Sequence, residues 1–316
     1  MITMYARMKT PVPMLGCGIG DAVGGPFEFH SMFHPIFDGW TGEFRKGGSG
    51  GGIGKWTDDT HMAIRLADSQ LQVGRFDSTA VFAAYKAWLR TGDLRGIGCT
   101  CSAVLHGGRP RDGEYAAGNG TAMRVCSIGL FARTLPELVR TAILDADLTH
   151  RNLEAYAGSV VVAYLVRKLA VLAPDDIEGK WTAVDHAINL LGLLGKKFAC
   201  SKMRKALCVA RRNARLVCNK TVSWEYALRL IGTTGYVVHT VPAAVFSLLA
   251  TTSFKDAIVM GVRGGNDADT TGAVVGAMAG AFYGLHGIPN EYRRVEARER
   301  LVALDQKLAE RGLYSA

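Results

Sequence analysis

The chain has 316 residues, 48% of them apolar and 21% charged, with a net charge of +9 and a mean hydropathy of +0.11. That composition supports a large buried core and excludes an intrinsically disordered chain. Seven cysteines, an odd number without C-x-x-C spacing, argue against a disulfide framework or a zinc finger. No apolar leader precedes Asp21, and the Gly272–Gly284 stretch falls short of the ~20 residues that span a bilayer, so a reduced cytoplasmic protein away from membranes is expected.

Helical periodicity dominates the chain. Apolar residues three and four apart predict helices over 60–72, 78–90, 135–146, 153–172, 183–194, 202–218, 224–231, 239–252, 272–284 and 291–311. Val160, Val161 and Val162 are β-branched, yet they lie inside the long pattern carrying Tyr156, Tyr164 and Leu165, which favours helix. Loops are expected at the glycine-rich 40–56 segment, at 106–120, at 173–180 around Pro174, and at 232–236. No internal repeat or linker interrupts the chain. An all-α fold follows: a compact, multi-helix, single domain over 1–316.

Between Lys196 and Lys220 stand nine Lys/Arg and no acid. A solvated helix face explains them; attraction to an anion is the functional alternative. Nucleic acid is not an expected partner, because aromatic interleaving and a recognition motif are both missing. The glycines of LGCGIGDAVGG invite a dinucleotide-fold reading that fails. Asp21 stands where G-x-G-x-x-G needs its third glycine, and Pro11 and Pro13 suit a central strand poorly.

Chemistry is carried by two clusters, Thr57-Asp58-Asp59-Thr60 and Asp267-Ala268-Asp269-Thr270-Thr271, each running into an apolar helical segment. Either alone reads as an N-cap with acids complementing the helix dipole. Together they offer hard oxygen ligands suited to Mg²⁺, Mn²⁺ or Ca²⁺. Paired ions could then clamp a substrate oxygen or orient a water. A second glycine turn, Gly118-Asn119-Gly120, runs into an apparent helix near Ala122. It is either an ordinary turn or a phosphate cradle.

Taken together these motifs resemble the ADP-ribosylglycohydrolases. The matching stretches are GDAVGGPFEFH (20–30), KWTDDTHMA (55–63), GNGTAMRV (118–125), LTHRNLEAYAG (148–158) and RGGNDADTTGAVVGAMAGAFYG (263–284), with GTTGYVVHTVPAAV (232–245) a weaker sixth. The resemblance extends over residues 16–285. It implies an all-α fold with two divalent ions, Mg²⁺ or Mn²⁺, held by Thr57, Asp58, Asp59, Asp267, Asp269 and Thr270. It implies cleavage at the distal ribose C1″ of an ADP-ribosylated protein side chain, with Glu28, Asp59 and Asp269 as the catalytic acids. Gly118, Asn119 and Gly120 would line the phosphate path, with Thr121 and Met123 nearby, His150 beside the adenosine-phosphate part and Tyr236 over the ligand. For His150 and Tyr236 a packing role competes, and for Glu28 a surface or capping role.

One position departs from the family pattern. Many arginine-directed members carry an aspartate where this chain has Gly96, and Asp93 lies three residues too early to replace it. The linkage, arginine or serine, therefore stays open. The insertion RKGGSGGGIGK (45–55) reads as a floppy loop, with a lid or basic substrate contact as the functional version. ADP-ribose and a modified protein are the expected partners, and a monomer the expected state. The alternatives are an ADP-ribose-binding or structural protein on the same scaffold, and a phosphoesterase that cuts the pyrophosphate.

Overall fold

The structure is a computed structural model describing residues 9–113, 116–199 and 201–315; Cys200, one of the seven thiols, lies outside them. Its helices are α1 (Pro13–Gly24), α2 (Asp58–Val73), α3 (Ser78–Leu89), α4 (Cys99–Leu105) and α5 (Cys126–Phe131). They continue with α6 (Leu135–Asp147), α7 (Leu153–Ala170), α8 (Ile177–Leu193), α9 (Lys196–Ala199) and α10 (Lys202–Cys218). The last five are α11 (Trp224–Ile231), α12 (Val237–Leu249), α13 (Phe254–Val262), α14 (Ala268–Tyr283) and α15 (Arg298–Arg311). Extended pairing is confined to one parallel pair, β1 (Arg111–Asp112) with β2 (His150–Arg151), and two isolated bridges, among the described residues.

The centre is an antiparallel pair, α1 against α14, with every residue of both helices buried. Glycine recurs every fourth position on each facing side: Gly16, Gly20 and Gly24 on α1, Gly272, Gly276 and Gly280 on α14. A Cβ at Gly20 would lie 1.9 Å from the Gly272 carbonyl oxygen, and one at Gly276 2.1 Å from that of Gly16. Backbone thus packs directly on backbone. Helix α1 is buried on all sides and apolar but for Asp21, which erases the amphipathic period that reveals surface helices, whereas α14 is covered by the helix expected at 272–284. That is why α1 has no counterpart among the helices expected from periodicity.

Local chemistry explains the other helix starts. Asp77, Thr134, Asn152, Asp176, Ser201, Ser223 and Ser253 each cap their own helix by accepting a backbone N–H. Two central helices are capped from elsewhere in the chain. The buried Asp305 of α15 accepts from Met14 N and Leu15 N at 2.8 and 3.1 Å, and Asp21 of α1 accepts from the start of α2. Helix α8 begins at Ile177, inside the segment expected as loop, because Asp176 accepts from Gly179 N. The segment 291–311 divides into a 3₁₀ turn at Asn290–Arg294 and α15. Helices α4, α5 and α9 are too short for periodicity to find, and α13 falls between predicted helices.

The basic segment forms α9 and α10, whose Arg211 pairs with Asp185. The Arg211 and Arg215 guanidinium groups lie 5.6 and 4.5 Å from the Trp181 ring centroid. Among the described residues no helix is long and apolar enough to cross a membrane.

Candidate active site

The α1–α14 contact brings the two acid clusters together. Asp21 leaves α1 one turn from its end, Thr57 to Thr60 open α2, and Asp267 to Thr271 open α14. Carboxylate oxygens of the buried Asp21, Asp59 and Asp269 lie within 4.8 Å of one another. Asp21 accepts from four donors: Thr57 N and Oγ1, each at 2.9 Å, and Thr60 N and Oγ1 at 3.1 and 2.6 Å. Thr57 Oγ1 also lies 3.1 Å from Asp59 Oδ2, and Thr270 Oγ1 lies 3.5 Å from the same oxygen. Asp58 accepts from Gly98 N at 3.4 Å. Asp269 accepts from Thr270 N at 2.9 Å.

So many acids in one buried place cannot all ionise cheaply. Burial pushes the Asp58 carboxyl up to about 8, with Asp21 beside it adding to the effect. Burial likewise raises Asp59 and Asp269 well above the ordinary carboxylate range, reinforced by their acidic neighbours. Asp21 rises only to about 6, because the threonine hydrogen bonds offset part of the desolvation. Asp59 Oδ1 is buried with no hydrogen-bond partner. An unpaired carboxylate oxygen inside a ring of hard donors fits a divalent cation.

Asp58, Asp59 and Asp269 face a cleft of about 380 Å³, whose wall also includes Glu28, Asp267 and Thr270. Gly118, Asn119, Gly120, Met123 and His150 line it as well. Asn119 joins the two parts, donating from Nδ2 to Asp267 Oδ2 at 3.0 Å and to Thr240 Oγ1 at 2.8 Å. His150 is buried on β2, with Nδ1 2.8 Å from Thr149 Oγ1. A Cβ at Gly118 would stand 3.0 Å from its Nε2, so that glycine lets the turn close over the ring. Arg124, wholly buried, supports this turn from behind. It donates to Gly120 O at 3.0 Å, Asp145 Oδ2 at 2.8 Å and Thr149 Oγ1 at 3.0 Å.

Three residues expected near the ligand do not line this cleft. Thr57 lies behind it, between Asp21 and Asp59. Thr121 is buried, its hydroxyl donating to Ala155 O at 3.3 Å. Tyr236 is half-buried, bridging Gly118 through its backbone and resting 5.1 Å from the His239 ring centroid.

Glu28 is half-buried at the cleft, raised by burial with Asp267 and Asp21 adding to it, and it accepts from Ser49 Oγ. The glycine-rich segment therefore touches the site through Ser49, while its Lys55 pairs with Glu296. Gly96 lines the cleft at φ +77°, where a Cβ would lie 2.7 Å from Thr57 Cβ and 2.9 Å from Asp58 Oδ1. Asp93 is turned to Arg95 at 2.7 Å and His61 at 3.4 Å.

Reading the motifs missed Asp21 as a site residue. The signal was available: an acid inside a wholly apolar, glycine-spaced segment must find buried partners. The wall from Ile97 to Cys101 carries no comparable signal. A second concavity of about 430 Å³, lined by Trp224, Asp256, Met260 and Arg263 among others, has no carboxylate cluster.

A family model described as ADP-ribosylglycohydrolase matches residues 13–315. The ADP-ribosylarginine hydrolase Tri1 of Pseudomonas putida (strain GB-1) is 28% identical, covering 95% of this chain and 77% of that one. The ADP-ribosyl-[dinitrogen reductase] glycohydrolase of Rhodospirillum rubrum is also 28% identical, over 87% of this chain and 86% of its own. A solved structure titled ADP-ribosylglycohydrolase-related protein complex superposes with a TM-score of 0.71 at 29% identity, over 98% of this chain and 99% of that chain. With the fold, the convergent acids and these matches in agreement, the chain belongs to the ADP-ribosylglycohydrolase family.

Proposed function

We propose that the protein removes ADP-ribose from a modified protein side chain by hydrolysis at the distal ribose C1″. The observation that carries this reading is the meeting of two acid clusters, more than 200 residues apart, at one cleft. Asp58, Asp59, Asp267, Asp269 and Thr270, with Thr57 behind them, would hold two divalent ions, Mg²⁺ or Mn²⁺. Such ions supply Lewis acidity and an activated water at neutral pH. Asp21 fixes Thr57 and Thr60, and so sets the position of Asp58 and Asp59. Asn119 orients Asp267. Gly118 and Gly120 allow a pyrophosphate close to the backbone, and His150 forms the floor beneath them.

In the reaction the C1″–acceptor bond breaks, the water oxygen joins C1″, and the acceptor leaves with a proton. Glu28, at the cleft with its carboxyl raised from its ordinary value by burial, is suited to exchange that proton. Asp59 and Asp269 would act by holding those ions in place. The whole chain serves as one domain, since one cluster of buried apolar residues runs from Val12 to Ala309. A cytoplasmic location is supported by six described cysteines that are all free.

The test is product analysis on ADP-ribosyl-arginine and ADP-ribosyl-serine peptides with Mg²⁺, Mn²⁺ or EDTA. Metal-dependent release of free ADP-ribose is expected, and the preferred peptide identifies the linkage. Asp269→Ala is expected to lose metal binding and at least about 10²-fold in turnover. Retention of both sinks the mechanism, and ADP-ribose binding without release from either peptide identifies a binding module. Release of AMP identifies a phosphoesterase.

A further inference from the structure

Phe29 is 84% exposed, more than any other large apolar side chain among the described residues, and it stands at the cleft beside Glu28. Its backbone is left-handed, with φ +64°. For a bulky L-residue that conformation is a genuine outlier. Two hydrogen bonds of 2.6 Å hold it there, Phe29 N to Asn266 O and Asn266 N to His30 O. The opposing strip is left-handed too, at Gly265 and Asn266, and a Ser31–Gly265 bridge closes the clamp.

Folding gains nothing from this arrangement. An aromatic ring left in water contributes no burial, and glycine would fit the backbone better. A costly conformation that persists beside a site points to a role there. Four residues on, Phe33 is also exposed, at 67%, with the Arg229 guanidinium 5.8 Å from its ring centroid. The Phe29 ring shares the cleft wall with the acids and turn that would take a ribose and pyrophosphate, but unlike the buried Asp58, Asp59, Asp269 and Asn119 it stands in solvent.

We propose that Phe29 is a substrate-binding residue that receives the acceptor side of the scissile bond, the polypeptide carrying the ADP-ribosylated side chain. The ring covers the apolar face of that side chain and its neighbouring peptide. Aromatic anchors suit this task because they offer a large contact area with few rotatable bonds. This inference rests on the hydrolase reading above and adds the residue that recognises the leaving group.

The test compares an ADP-ribosylated peptide with free ADP-ribose as a competitive inhibitor, in wild type, Phe29→Ala, Phe29→Tyr and Phe29→Gly. Expected for Phe29→Ala is a rise of about tenfold in KM for the peptide, the loss of one buried aromatic contact. The inhibition constant of ADP-ribose stays within twofold, and Phe29→Tyr restores the peptide KM. Phe29→Gly loses peptide affinity in the same way while Tm rises by roughly 2–4 °C, because the left-handed backbone is relieved. An unchanged peptide KM in Phe29→Ala overturns the proposal, as does equal weakening of ADP-ribose, which would mean that the ring touches the nucleotide. Wild-type protein that neither cleaves the peptide nor binds ADP-ribose overturns the hydrolase reading itself, and this inference with it.

Discussion

Replacing Gly20 with alanine tests whether direct backbone packing holds the site together. The added Cβ would lie 1.9 Å from Gly272 O, where an ordinary contact needs about 3.4 Å, so α1 and α14 must part by about 1.5 Å. Neither partner is the free end of a side chain; both are helix backbone, buried and flanked by residues that are buried as well. Overpacking of this kind costs about 1–3 kcal/mol, and the better helix propensity of alanine returns roughly 0.5–1 kcal/mol. A net loss of about 1–2 kcal/mol corresponds to a Tm lower by several degrees in a chain of this size. Because Asp21 follows Gly20 directly and Asp269 sits one turn before Ala273, the same displacement separates the acids. Calorimetric titration with Mn²⁺ and thermal melts of Gly20→Ala are to be set against Gly280→Ala, whose Cβ would meet Val12 O at 2.4 Å at the opposite end of the pair. Both variants are expected to lose stability, and Gly20→Ala to lose more metal affinity. Wild-type Tm and wild-type Mn²⁺ affinity in Gly20→Ala would refute the argument.

Three further outcomes follow from the geometry. In the metal-free protein Asp21 and Asp58 hold protons up to about pH 6 and 8, whereas unfolded aspartates release theirs near pH 4. The native state therefore binds more protons across that window, and the Tm measured in EDTA should fall as pH rises from 5 to 8. Saturating Mg²⁺ or Mn²⁺ should remove or reverse the slope, and a flat profile in EDTA contradicts the buried-acid account. Arg124→Met leaves Asp145 buried with its charge uncompensated, so a loss of about 3–5 kcal/mol in chemical denaturation is expected; a loss below 1 kcal/mol would show that the pair is dispensable. Gly96→Asp forces a left-handed aspartate against Thr57 and Asp58, and should weaken Mn²⁺ binding rather than improve arginine-linked turnover. Improved turnover on the arginine peptide would show that the loop relaxes to admit the side chain.

Surface helices such as α6 and α10 were legible because each keeps one apolar and one polar face, so the chain itself records which side is buried. The central pair is written differently, although the apolar run at 272–284 did mark α14 as helix. Its message is glycine at every fourth residue, and that spacing acquires meaning only when the matching spacing on a partner 250 residues away is recognised. The acid clusters could be named from their motifs, but their meeting depends on this pairing, and so does the part played by Asp21. Thr121 and Tyr236 belong to stretches that do approach the cleft. Their side chains point into packing instead, and whether a residue of a turn faces in or out is set by long-range contacts such as Val237 N to Ala117 O. The left-handed clamp at Phe29 had no signal, since no rule of composition places phenylalanine at positive φ.

The pairing of α1 with α14 also sets an order on biosynthesis. On the ribosome α1 emerges long before the surface that covers its glycine face, which comes only when residues 268–283 have been made. Until then a helix that is apolar but for Asp21 has no permanent neighbour on that face, a ready target for chaperones and for aggregation. The closing contact spans most of the chain, so its loop entropy weighs on the folding rate. Neither acid cluster alone would bind a cation well, and metal affinity should therefore appear abruptly in the nascent chain, when the last glycine ridge docks.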